Sequence, residues 1–100
     1  MPRSHITIPE ERLTEFCRRH HIRRLALFGS VLRPDFGPDS DVDVLVEFDA
    51  EHTPGLAFFA MEAELSDLLG RRVDLNTPQW LSADLRQVIA ADAEVEYDAA

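Results

Sequence analysis

Leu25-Ala26-Leu27-Phe28-Gly29-Ser30 and Asp41-Val42-Asp43-Val44-Leu45-Val46 are the stretches that decide the fold, with residues 31–40 between them. Each contains a short apolar run of strand length. The first is closed by Gly-Ser, and the second is opened by Asp-Val-Asp. Side chains of a strand alternate between faces. Asp41 and Asp43 are therefore expected on one face, and Val42, Val44, Val46 and Phe48 on the other. Asp is depleted in strands, so two of them flanking one valine need a reason. Adjacent carboxylates repel unless a positive charge lies between them, and a hard divalent cation prefers oxygen ligands. A Gly-Ser turn nearby permits close backbone approach and offers N–H groups to phosphate oxygens. The combination points to a metal-chelated nucleoside triphosphate, with Gly29 and Ser30 at its phosphates and Asp41 and Asp43 at its metal.

Working outward, Pro9 suits a first helical position, with Glu10 and Glu11 favourable at a helix start. Leu13, Phe16 and Cys17 recur at i, i+3 and i+4, so this helix buries one stripe and ends near His20. Residues 1–8 read as a tail. The first strand is expected over 24–28, followed by a short helix through Leu32. Pro34, Gly37 and Pro38 mark a turn, and the second strand spans 41–48. Thr53-Pro54 reads as an N-cap and first helical residue. The helix that follows runs to Leu69, with Phe58, Met61, Leu65, Leu68 and Leu69 on its apolar face and Gly70 as terminator. A third strand is expected over 71–75, with Asp74 opposite in direction to Val73 and Leu75. Ser82 caps a last helix carrying Leu85, Val88 and Ile89, which Trp80 and Leu81 would pack onto the core, and 94–97 forms an edge strand. Alternating strands and helices give an α/β or α+β layer fold, a small mixed sheet flanked by helices.

Asp74 has two readings. If its strand lies beside the second, its carboxylate reaches the other acids; otherwise it pairs with Arg71 or Arg72. Ser40 can cap a backbone N–H of the loop, and Arg33 is a candidate phosphate contact. Adjacent His20 and His21 have the wrong spacing for a shared metal, and His5 and His52 stand alone.

The 100 residues are expected to form a single domain over 1–100. A chain of this size buries roughly 60–65% of its unfolded surface. It leaves no room for a second domain that would enclose a small acceptor. The formal net charge is −9, which argues against direct nucleic-acid binding, since that affinity comes from Lys and Arg. Arg12, Arg18, Arg19, Arg23 and Arg24 cluster early and read as solvated helix and loop residues. A single cysteine, Cys17, excludes a disulfide framework and fits the core. There is no signal peptide and no apolar run of membrane-spanning length, so a cytoplasmic location is expected.

Phe28-Gly29-Ser30-Val31-Leu32-Arg33, followed by Pro38-Asp39-Ser40-Asp41-Val42-Asp43-Val44-Leu45-Val46, resembles the signature of the minimal nucleotidyltransferases of the polymerase beta superfamily. Gly70-Arg71-Arg72-Val73-Asp74-Leu75 is similar to that family's third motif. The likeness runs from the first helix to the last. It implies magnesium-dependent transfer of a nucleoside monophosphate. Asp41 and Asp43 would bind metal, and Asp74 would complete the site and help activate the acceptor hydroxyl. Gly29, Ser30, Arg33 and Ser40 would hold the nucleotide. Small members of this family often serve as antitoxins to a HEPN-domain ribonuclease toxin, some by moving AMP from ATP onto a toxin tyrosine. Two other readings remain open here: an antitoxin that masks its toxin by contact alone, and an enzyme acting on a small hydroxylated molecule.

Overall fold

A computed structural model describes residues 6–37, 39–49 and 55–99. Pro38, the Thr53-Pro54 start signal, His5 and His52 lie outside these described residues. Helix α1 (Glu10–Arg19) leads into β1 (Ile22–Phe28). A 3-10 turn (Gly29–Leu32) and a loop then lead to β2 (Val42–Phe48). Helix α2 (Ala57–Leu69), β3 (Val73–Asn76), a second 3-10 turn (Pro78–Trp80), α3 (Ala83–Asp92) and β4 (Glu94–Asp98) follow. The sheet order is β3-β2-β1-β4. β1 is antiparallel to both β2 and β4, whereas β2 and β3 are parallel. A parallel pair needs a crossover of a dozen or more residues, and α2 lies within it.

The core lies between the sheet and the helices. Leu13, Phe16 and Cys17 of α1 and Phe58, Met61 and Leu65 of α2 pack on Leu25, Leu27, Val42, Val44, Val46, Val73 and Leu75. The alternation read from the second strand holds: Val42, Val44 and Val46 are buried, and Phe48 packs against the same cluster. Cys17 is wholly buried, and burial pushes its thiol up to about 12. Glu64 of α2 receives Arg19 and His20, whose Nε2 stands 2.9 Å from Oε1, and so clamps the two helices together. Two more of the early arginines meet acids of the sheet: Arg23 and Arg24 meet Glu47, and Arg24 also meets Asp98, while Arg12 and Arg18 are exposed on α1.

Several boundaries differ from the expected ones. Pro9 is the N-cap of α1, with extended backbone, and not its first helical residue. β1 begins at Ile22, two residues early, since Ile22 pairs with Phe48. β3 begins at Val73, because Gly70 ends α2 in the left-handed conformation (φ 68°) and the Arg71 N–H turns back to Ser66 O. Strand β3 is an edge, and its outward N–H groups are met by α2: Val73 N donates to Ser66 Oγ (3.1 Å) and Leu75 N to Glu62 Oε2 (2.9 Å). Trp80, expected to pack α3 onto the core, stacks on Phe58 of α2. Its ring lies 4.4 Å from that of Phe58 and is 59% exposed. Ser82 Oγ accepts from Leu85 N as expected (3.2 Å), but α3 buries only Ile89; Leu85 and Val88 are exposed.

Candidate active site

Parallel pairing sets Asp43 directly beside Asp74, with Val42 beside Val73 and Val44 beside Leu75. The valines and Leu75 point into the core, so both aspartates point to the opposite face. Asp43 and Asp74 share a hydrogen bond. Burial, then the charges of Asp74 and Asp41, raise the Asp43 carboxyl above its ordinary range, with Arg33 acting in the other direction. Two like charges beside a half-buried carboxylate disfavour its ionised form. Asp41 stands one residue before the strand, so alternation does not fix its side chain. Its carboxylate is 3.8 Å from Arg72 Nε.

The Gly-Ser turn is built against this pair. Gly29 has φ +76°, and a Cβ there would overlap Asp43 Oδ2 and lie 3.3 Å from its Cγ. Only glycine satisfies both constraints. The Ser30 hydroxyl donates to Asp41 O at 3.4 Å, a long bond that is easily exchanged for a better acceptor. Ser40 closes the turn before Asp41: its Oγ accepts from Gly37 N (3.2 Å) and its N–H donates to Gly37 O (3.1 Å). Arg33 is exposed at the mouth of the same loop. The structure thus brings Gly29, Ser30, Arg33, Asp41, Asp43 and Asp74 to one end of the β2–β3 pair. Trp80, stacked on Phe58 near Phe48, belongs to the other end of β2, roughly 16 Å along the strand from Asp43.

The expected alternative for Asp74, a pair with Arg71 or Arg72, is not what these arginines do. Arg71 Nη1 donates to Gly37 O (3.1 Å) and its guanidinium lies over the Phe36 ring (4.6 Å), while Arg72 turns to Asp41. Sequence reasoning gave Arg71 and Phe36 no part in the site. Nothing in their spacing marks them, because the contact spans two segments far apart in the chain.

Among the described residues, no three His, Cys, Asp or Glu side chains are grouped to hold a metal ion. The donor set nevertheless suits magnesium. This cation keeps several waters and is typically held by one or two carboxylates plus substrate phosphates, not by an all-protein cage. The repulsion among Asp43, Asp74 and Asp41 marks where a cation's charge would be accommodated.

Residues 10–95 match the model of the Nucleotidyltransferase domain family, and the chain belongs to that family. Its relatives include a candidate protein adenylyltransferase of Methanocaldococcus jannaschii, 47% identical over 58 residues. That alignment covers 57% of this chain and 57% of the relative, so the matched part is little more than half of the archaeal protein. Protein adenylyltransferase MntA of Thermococcus cleftensis is 38% identical over 76 residues, 75% of each chain. Among solved structures, a candidate minimal nucleotidyltransferase superposes with a TM-score of 0.72 at 35% identity, covering 85% of this chain and 86% of that one. A toxin–antitoxin structure with AMP-PNP has the same fold, with a TM-score of 0.75 at 22% identity and coverage of 91% and 74%. So does a complex of tri-AMPylated Shewanella oneidensis HEPN toxin with MNT antitoxin, with a TM-score of 0.67 at 22% identity and coverage of 89% and 69%. The described residues contain no helix long and apolar enough to cross a membrane.

Proposed function

We propose that this chain, acting as a single domain in the cytoplasm, is a magnesium-dependent protein adenylyltransferase. It would transfer AMP from ATP to a tyrosine hydroxyl of a HEPN-type toxin and so act as its antitoxin. The observation that carries the reading is the in-register Asp43–Asp74 pair, hydrogen-bonded on the face away from the core, with Gly29 packed against Asp43. The names of the relatives support the transferred group and the kind of partner: a protein adenylyltransferase, and an MNT antitoxin bound to an AMPylated HEPN toxin.

In the reaction, the acceptor oxygen attacks the α-phosphorus in line. A new P–O bond forms, the bond to the bridging oxygen of the β-phosphate breaks, and pyrophosphate leaves. Asp74 takes the hydroxyl proton. Ser30 gives up its long bond to Asp41 O and donates to the triphosphate, as do backbone N–H groups around Gly29. Arg33 and Ser40 would hold the same phosphates. Asp41, Asp43 and Asp74 would hold a divalent cation, whose charge would let these acids ionise together and would stabilise the phosphoryl oxygens. Positioning and charge account for the rest of the rate.

The test is to incubate the partner toxin with this protein, magnesium and ATP, and to measure the toxin's mass. An added AMP on tyrosine with loss of toxicity is expected. An unmodified toxin, neutralised equally well by a variant lacking Asp41, Asp43 and Asp74, would instead mean masking by contact.

A further inference from the structure

The structure assigns Arg71 a role as a positioning residue: it holds the turn that carries Asp41, and through that turn it sets where Asp41 stands relative to Asp43 and Asp74. The catalytic part of this inference rests on the nucleotidyltransferase reading, whereas the structural part does not.

Three contacts tie the segment 36–42 to the start of β3. The Arg71 guanidinium donates to Gly37 O at 3.1 Å. Its carbon lies 4.6 Å above the Phe36 ring, and Phe36 itself packs against the core. The next residue along acts through its backbone, with Val42 N donating to Arg72 O at 2.9 Å. Gly37 O also accepts the Ser40 N–H at 3.1 Å, and Gly37 N donates to Ser40 Oγ at 3.2 Å, so one carbonyl is shared by the turn and by Arg71. Asp41 follows directly on Ser40 and is pinned on one side by this turn and on the other by β2. Asp74 lies on β3, three residues beyond Arg71, which stands just before that strand. The piece of chain that carries one acid therefore grips the loop that carries another.

A planar fork that both stacks and donates is a property of arginine, which lysine does not reproduce. A small displacement of a group that must hold charge near a reacting phosphate costs rate steeply, about a hundredfold per ångström in unfavourable cases. These contacts run to the loop, so Arg71 is assigned to act through the turn and Asp41.

Two arms test this. In the protein alone, hydrogen exchange at the Ser40 amide should speed up at least tenfold in Arg71→Met, while core amides of β1 and β2 keep their protection. With magnesium-ATP and the partner toxin, kcat should fall roughly ten- to a hundredfold with a smaller change in KM. Arg71→Lys should recover only part of both losses, and Arg71→Met should add little in a Phe36→Leu background. Unchanged Ser40 exchange would overturn the proposal. So would full rescue by lysine, which would reduce Arg71 to a charge, or additive losses with Phe36→Leu. If the parent protein transfers no AMP, the nucleotidyltransferase reading fails by itself, and the exchange arm still decides whether Arg71 holds the turn.

Discussion

Asp43 carries the main conflict of the site. Its carboxyl is half-buried, meets two other acids, and has its ionised form disfavoured by both circumstances. Removing the charge should therefore relieve the fold and disable the chemistry. Asp43→Asn is expected to melt at or above the parent temperature while AMP transfer falls on the order of a hundredfold or more; calorimetry beside a mass-based transfer assay checks both halves. Asp74→Asn, nearly isosteric, should likewise keep the fold and lose most transfer. A large drop in its melting temperature would make Asp74 a structural residue. Gly29→Ala differs from both, since it imposes a left-handed alanine and an overlap with Asp43. It should lose at least about 1 kcal/mol of stability as well as activity. The faces of Asp43 and Asp74 were legible in the sequence, because strand alternation depends only on neighbours in the chain, whereas the pairing of their two strands stood as a condition. The destinations of Arg71 and Arg72 were not, because they depend on which loop a tertiary contact brings near.

At the level of elements, β3 shows how a four-residue edge strand is kept in place. Its outward N–H groups are met by Ser66 and Glu62, and Ser66 Oγ in turn donates to Glu62 O at 2.8 Å. Ser66→Ala leaves the Val73 N–H without a partner, at an expected cost of about 1–3 kcal/mol in chemical denaturation. Glu62→Gln keeps an acceptor and should cost less. Helix α3 is the opposite case. Its periodicity announced a helix and Ser82 announced its start, yet periodicity does not say whether anything covers the stripe. With Leu85 and Val88 exposed, alanine there should change stability by no more than about 0.5 kcal/mol, whereas Ile89→Ala should cost about 2 kcal/mol or more. The strand starts misread from the sequence have one cause. Arg23, Arg71 and their neighbours have no apolar pattern, and pairing partners, not composition, decide where a ladder begins.

For the whole molecule, one group of acids gathers where β4 meets α1. Leu25 faces Tyr97 and Ala26 faces Val95, which leaves Glu96 as the extra residue of a bulge. Burial, Glu94 and then Glu10 of α1 push the Glu96 carboxyl up to about 7 from 4.5. Between those values the folded chain binds more protons than the unfolded one, so stability is greatest at the acid end and falls as pH rises towards 7. Melting temperature should decline from pH 5 to pH 8, and the decline should be shallower in Glu96→Gln. The same negative charge, −9 in all, should steer a basic partner surface, so the association rate should fall as salt is added.

Cys17 gives this protein a built-in clock. It is the chain's single thiol, sits wholly inside the seam between α1 and the sheet, and is pushed up to about 12 by that burial. A thiol reagent needs a thiolate it can reach, so each labelled molecule records one occasion on which the helix left the sheet. With reagent in excess, the labelling rate becomes the rate of that opening, and at low reagent it becomes the population of the open form. Leu13→Ala, which empties a neighbouring place in the same seam, should hasten labelling. Substitutions at the far aspartates should leave the clock running at its original pace.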